Sequence, residues 1–181
     1  MNSAVRQLSV LFVLIISLAG FSSAQSTKEL PNFSKVNANL YRGGQPTETG
    51  FKQLATMGIK TVIDLRDSDS SVKTEEKWAR AAGLRFINIP LSNWFSPKNT
   101  EVETVIAAIE SKDDQPVFVH CKRGADRTGT IVAVYRITHE GWTDKQAAAE
   151  AKRFGLGWWQ FWMKDYIEDY YRKRQQNPKG S

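Results

Sequence analysis

The only cysteine of the chain, Cys121, is followed after five residues by Arg127, within the stretch VFVHCKRGADRTG at residues 117–129. A thiol attacks as its thiolate, and three features here stabilise that form. Cys121 precedes a predicted helix, whose free N–H groups and dipole favour negative charge. Lys122, Arg123 and Arg127 flank it, and the glycine-bearing turn supplies further donors. The same features suit a tetrahedral oxyanion. Consecutive backbone N–H groups from Lys122 to Thr128 can curl around one as a nest, and Gly124 lets the backbone come close. In a loop that closes on itself, Arg127 brings a planar, permanently charged fork that grips two phosphate oxygens, a geometry lysine cannot match. Thr128 is placed to donate its hydroxyl to the sulfur, and His120 to hold the loop from behind through a backbone carbonyl. The phosphate-binding set is Lys122, Arg123, Gly124, Ala125 and Thr128, around Cys121 as nucleophile and Arg127. The ordinary fate of a lone cysteine, a buried inert thiol, leaves this concentration of charge unexplained.

The elements that must carry the loop alternate. NLYRGG reads as a short strand and turn. TETGFKQLATMG carries helical spacing through Phe51, Leu54 and Met57 and stops at Gly58. IKTVIDL is a β-branched strand, VKTEEKWARAAG a helix, and LRFINIPL another strand. After the loop SNWFSPKN comes the helix TEVETVIAAIES, where Thr100 and Glu103 have capping-box spacing. The strand QPVFVH then leads through the cysteine loop into the helix GTIVAVYRITHEG, and TDKQAAAEAKRFG and WWQFWMKDYIEDYYRKR are the last two helices. Strands separated by helices imply βαβ units. The expected fold is α/β, with a mostly parallel central sheet of about four to five strands flanked by helices and the cysteine loop between a strand and a helix. Ligands of such sheets bind at the carboxyl ends of strands, where Cys121 lies. The aromatic run Trp158, Trp159, Phe161, Trp162, Tyr166 and Tyr170 is read as packing of the last helix on the core rather than as a ligand platform.

Arg6 precedes the apolar run LSVLFVLIISLAGF, which ends at Ser22-Ser23-Ala24. That is the layout of a cleaved export signal, too short to span a bilayer. The expected organisation is a signal peptide at 1–24, a flexible leader at 25–32, one catalytic domain at 33–174 and a polar tail at 175–181. Cleavage removes Arg6 alone among charged residues, so the formal net charge of +6 falls by one. The product is expected to be periplasmic or secreted, without stable membrane insertion. A single thiol excludes a disulfide-stapled fold. Modest basicity fits anionic ligands but does not point to nucleic acid. With only His120 and His139 as histidines, no metal-ligand cluster is visible, and no cofactor is expected.

HCKRGADRTG matches the HC-x5-R-[ST] signature of the cysteine-dependent protein tyrosine and dual-specificity phosphatases. CKRGxxRTG, together with YRGGQP and VIDLR upstream, resembles the atypical dual-specificity branch related to plant and fungal enzymes. The resemblance covers most of residues 33–170 in element order. It implies metal-free phosphoryl transfer in two steps through a phosphocysteine, with Cys121 as nucleophile and Arg127 and the loop amides holding the equatorial oxygens. Its substrates would be phosphoproteins or small polyphosphates, since that branch is associated with inositol pyrophosphates as well as phosphotyrosine.

Familiar members of the family supply a general-acid aspartate from the loop that here reads SNWFSPKN, which contains no carboxylate. Asp126 inside the cysteine loop is the favoured substitute on position. Asp67 and Asp69 stay open, and Glu101 and Glu103 are assigned to a helix's first turn. Without a lid acid, anhydrides and aryl phosphates, whose leaving groups are weaker bases, are expected to outrun phosphoserine. Two other readings compete. One is a catalytically silent phosphate-binding module, against which an intact Cys121 and Arg127 argue. The other is rhodanese-type sulfur transfer, which the Arg127-Thr128-Gly129 spacing fits less well.

Overall fold

The computed structural model describes residues 27–177. The expected signal peptide at 1–24 lies outside them, as do residues 178–181 of the expected tail. Five strands form one sheet: β1 (Ser34–Lys35), β2 (Leu40–Gly43), β3 (Thr61–Asp64), β4 (Arg85–Asn88) and β5 (Val117–His120). Their order is β1-β2-β5-β3-β4, and all neighbours are parallel except β1 and β2. Six helices accompany them: α1 (Glu48–Thr56), α2 (Ser70–Ala81), α3 (Asn99–Glu110), α4 (Asp126–His139), α5 (Asp144–Arg153) and α6 (Phe161–Gln176). None of the described helices is long and apolar enough to cross a membrane.

Every residue of β3 and β5 is buried, as expected of central parallel strands covered on both faces. The strand period of two sorts their side chains. Ile63, Val117 and Val119 pack with α3 and α4 through Val105 and Ile131, while Val62 and Phe118 pack with α1 and α2 through Phe51, Leu54 and Ala79. A third cluster, including Ile137, Ala151, Met163 and Ile167, fastens α4, α5 and α6 together. In register, Gly43 of β2, His120 of β5 and Asp64 of β3 stand side by side at the strands' carboxyl ends. Cys121 is the next residue after this row.

Several boundaries differ from the sequence reading. The described part of the expected leader is docked: Leu30 is buried, the Gly44 N–H donates to Pro31 O, and the Thr47 N–H to Glu29 O. Residues 175 and 176 belong to α6. Helix α3 begins at Asn99 with Lys98 as N-cap, so the Thr100–Glu103 capping box is replaced by Glu101, whose Oε2 accepts the Lys98 N–H at 3.1 Å. Helix α4 starts at Asp126, placing Arg127 and Thr128 on its first turn. Helix α6 starts at Phe161, which splits the aromatic run. Tyr166 is buried and Trp162 and Tyr170 pack partly, but Trp158, Trp159 and Phe161 are exposed.

Candidate active site

The cysteine loop is built on the seam between β2 and β5. Gly124 has φ +71°, a conformation that favours glycine, and a Cβ there would collide with the Gly43 backbone. Gly44 likewise faces the Arg123 carbonyl. The glycine pair of YRGG therefore admits the loop against the strand end. The contact is then locked by polar bonds: the Gln45 N–H donates to Lys122 O at 3.2 Å, Lys122 Nζ to Gln45 Oε1 at 2.8 Å, and Arg42 Nη2 to Gly124 O at 2.8 Å. From the docked leader, Asn32 Nδ2 lies within hydrogen-bond distance of the Arg123, Gly124 and Phe154 carbonyls.

Among the described residues no backbone carbonyl accepts an N–H from residues 122–128; the first that does so is Ala125, from Gly129 at 2.8 Å. Seven donors thus remain for an anion, beside the positive end of α4. Cys121 is 3 % exposed and Arg127 8 %. The Arg127 guanidinium leaves the first turn of α4 and reaches across to the carboxyl ends of β3 and β4. There Nη1 lies 3.4 Å from both Leu65 O and Leu91 O, and Nε is buried without a partner. Thr128 Oγ1 is also buried and unpartnered. The structure thus gathers Cys121, Lys122, Arg123, Gly124, Ala125, Arg127 and Thr128 in one loop and helix start.

Asp126 does not fit the general-acid expectation. It is 4 % exposed, and both carboxylate oxygens are engaged: Oδ1 accepts the Gly157 N–H at 2.9 Å and Oδ2 accepts from Arg123 Nη2 at 2.5 Å. A carboxyl group with both oxygens taken by donors is a brace, binding the loop to the segment before α6. Asp69 is the N-cap of α2; the Ser71 hydroxyl, with the Val72 and Ser71 N–H groups, donates to its Oδ1 and holds its carboxyl below the usual range. Asp67 is exposed, two residues after Leu65, whose carbonyl touches Arg127. The loop 92–98 presents Trp94 and Phe95 to solvent, each 74 % exposed.

Behind the loop lies a charge cluster that local patterns missed. Arg66 is bonded to both Asp64 oxygens, with Nη2 2.6 Å from Oδ2, and the same Nη2 lies 2.5 Å from Glu75 Oε1. His120 is fully buried, stacked on Phe118, with Nδ1 3.3 Å from Cys121 O. That contact is the backing expected from behind the loop. Asp64, Glu75 and His120 bring ligand-type atoms within 4.8 Å of one another, but Arg66 already binds both carboxylates there. Burial pushes Glu75 up to about 7, Asp64 acting the same way and Arg66 opposing; burial pushes His120 down. Arg42, another residue not singled out from the sequence, is 1 % exposed. Its guanidinium lies 3.9 Å from the Phe154 ring centroid and has Nε and Nη1 unpartnered. The sequence signal for Arg42 was a charge inside a strand of otherwise uncharged residues; for Glu75 there was none beyond helical spacing.

A family model described as DSP-PTPase phosphatase fused to NAD+ kinase matches residues 15–157. The dual specificity protein phosphatase TpbA of Pseudomonas aeruginosa is 31% identical over 134 residues, 73% of this chain and 58% of TpbA. The inositol diphosphatase DSP5 of Arabidopsis thaliana is 27% identical over 146 residues, 77% of this chain and 70% of DSP5. Among solved structures, the core catalytic domain of the PP-IP phosphatase SIW14 from S. cerevisiae, in complex with citrate, is similar with a TM-score of 0.71. It is 21% identical, with 82% of this chain and 94% of that one covered, a likeness of fold. The chain spans less than two thirds of the length of the TpbA relatives.

Proposed function

The chain belongs to the DSP-PTPase phosphatase family, and from that premise we propose that it is an exported, metal-independent phosphatase acting on phosphate monoesters or anhydrides through a phosphocysteine. The observation that carries the reading is the pairing of Cys121 and Arg127 around a loop whose N–H groups from 122 to 128 have no carbonyl acceptor among the described residues. Cys121 Sγ attacks phosphorus in line: the S–P bond forms as the P–O bond to the leaving group breaks. The loop amides and Arg127 hold the three equatorial oxygens, fixed dipoles and a fixed charge in a water-poor site. Water then attacks phosphorus and the S–P bond breaks, which releases inorganic phosphate and regenerates the thiolate. Lys122, Arg123, Gly124, Ala125 and Thr128 form the cradle, its positive charge supplied by the protein itself.

Substrate preference follows from proton supply. Asp126 is a brace, and residues 92–98 contain no carboxylate, so a poor leaving group lacks a donor in the usual place. Aryl phosphates and phosphoanhydrides leave without full protonation, and they are the proposed substrate classes; TpbA was crystallised in complex with pTyr, an aryl phosphate, and DSP5 is an inositol diphosphatase. The export part of the proposal rests on the layout of residues 1–24 alone. The test is hydrolysis of 4-nitrophenyl phosphate, pyrophosphate and a phosphoserine peptide by wild type and Cys121→Ser, with chelator present. Turnover of the first two, inhibited by vanadate and absent in Cys121→Ser, is expected. Phosphoserine turned over as fast as the aryl phosphate would contradict the leaving-group argument. Vanadate binding without any hydrolysis would identify a silent phosphate-binding module instead.

A further inference from the structure

Glu75 and His120 are fully buried beneath the cysteine loop, and their facing atoms, Oε2 and Nε2, stand 3.6 Å apart, each without a hydrogen-bond partner. On the other side of the ring, Nδ1 lies 3.3 Å from Cys121 O. A neutral imidazole carries one N–H and one lone pair. A carbonyl only accepts, so the N–H belongs on Nδ1, and Nε2 turns its lone pair toward Glu75. Those two acceptors are satisfied together only by a proton on the carboxyl. We infer that Glu75 is a positioning residue for the phosphatase reaction. As the neutral acid it holds His120 in the Nδ1–H tautomer that supports the Cys121 carbonyl, and its ionisation withdraws that support.

The surrounding charges fit this assignment. Arg66, in the loop after β3, is bonded to Asp64 of β3 and to Glu75 Oε1, so Asp64 and Arg66 already neutralise one another. Asp64 Oδ1 lies 4.0 Å from His120 Nδ1, Gln45 after β2 weakly favours the ionised form of Glu75, and Arg127 of α4 opposes a positive charge on His120. A second carboxylate charge in this space has no cation of its own. Burial raises Glu75 to about 7 and lowers His120, so near neutrality Glu75 is the group that titrates. Once ionised, its Oε2 takes an N–H from Nε2. The proton given up by the carboxyl passes to Nε2, the Nδ1 proton is released to solvent, and the bare Nδ1 lone pair then meets the lone pairs of Cys121 O.

The inference rests on Cys121 as the nucleophile, but its test separates the two. The chain has two histidines, so ¹⁵N correlation spectra resolve their tautomers, with His139→Asn assigning the second signal. In the wild type, His120 is expected to pass from Nδ1–H to Nε2–H as pH rises through about 7, while kcat on an aryl phosphate falls about tenfold between pH 6 and pH 8. Glu75→Gln, whose amide donates to Nε2 at every pH, is expected to hold the Nδ1–H tautomer and flatten the kcat profile. An active wild type whose His120 tautomer does not change with pH overturns the inference, whether or not Glu75→Gln folds. So does a Glu75→Gln enzyme that keeps the wild-type profile. A wild type inactive on all phosphates, with the tautomer change intact, counts against the phosphatase reading alone.

Discussion

Arg123 Nη2 lies 2.5 Å from Asp126 Oδ2, a link three residues long that closes one side of the cysteine loop, while the other oxygen of the same carboxylate carries the Gly157 N–H. A side chain so engaged works as structure. Asp126→Asn keeps an acceptor for Gly157 and loses a pair whose arginine is half-exposed, a change of about 1 kcal/mol or less. The kcat profile of Asp126→Asn is expected to keep the wild-type basic limb. Asp126→Ala strands the buried Gly157 N–H and is expected to cost about 1–3 kcal/mol in urea unfolding.

Gly124 packs against Gly43 in a conformation with φ +71°. Gly124→Ala adds both strain and a backbone collision. The expected result is a loss of at least about 1–3 kcal/mol of stability, with vanadate binding abolished even where the protein stays folded. Thermal unfolding and vanadate titration check it together.

Arg42 is a buried cation with two unpartnered nitrogens, bonded to the loop through Gly124 O. Burying that charge opposes folding, so Arg42→Met is expected to shift Tm less than Gly124→Ala does. Vanadate affinity, which depends on a correctly held loop, is expected to fall about tenfold. Arg42→Lys, which keeps charge but not the stacking on Phe154, should recover part of it.

Stability against pH carries a sign fixed by two shifts. Glu75 is raised from 4.5 to about 7 on folding, so the folded state binds the extra proton and Glu75's contribution to stability is lost as pH rises through that window. His120 is lowered on folding, so its contribution is lost in the other direction, as pH falls below the ordinary histidine range. The two oppose each other in the wild type. Glu75→Gln removes only the first, so its stability relative to wild type is expected to improve by on the order of 3 kcal/mol between pH 4 and pH 8, measured by urea unfolding.

The chemistry of the loop was legible because its elements are local. Cys121, Arg127 and the intervening turn lie within seven residues, and the β-branched strand before them has a period that needs no tertiary information. The start of α4 is not marked by periodicity because apolar residues begin only at Ile131; its first turn, Asp126 to Gly129, carries no large apolar side chain although it is buried. What spans long separations was not legible. Asp126 finds its partner at Gly157, 31 residues on, and Asn32 reaches the loop from 91 residues away, turning an apparent leader into a clamp. Glu75 reads as one more charge on an amphipathic helix until α2 folds back over the sheet and buries it against His120. The aromatic run likewise divides only once α6 is seen to begin at Phe161, leaving Trp158 81 % exposed.

The covalent step is tested most directly by trapping. Wild-type protein mixed with a ³²P-labelled aryl phosphate and quenched within a turnover is predicted to carry the label on the peptide containing Cys121, with no label and at least about a thousandfold slower hydrolysis in Cys121→Ser. Label on any other peptide, or hydrolysis undiminished in Cys121→Ser, would contradict the account.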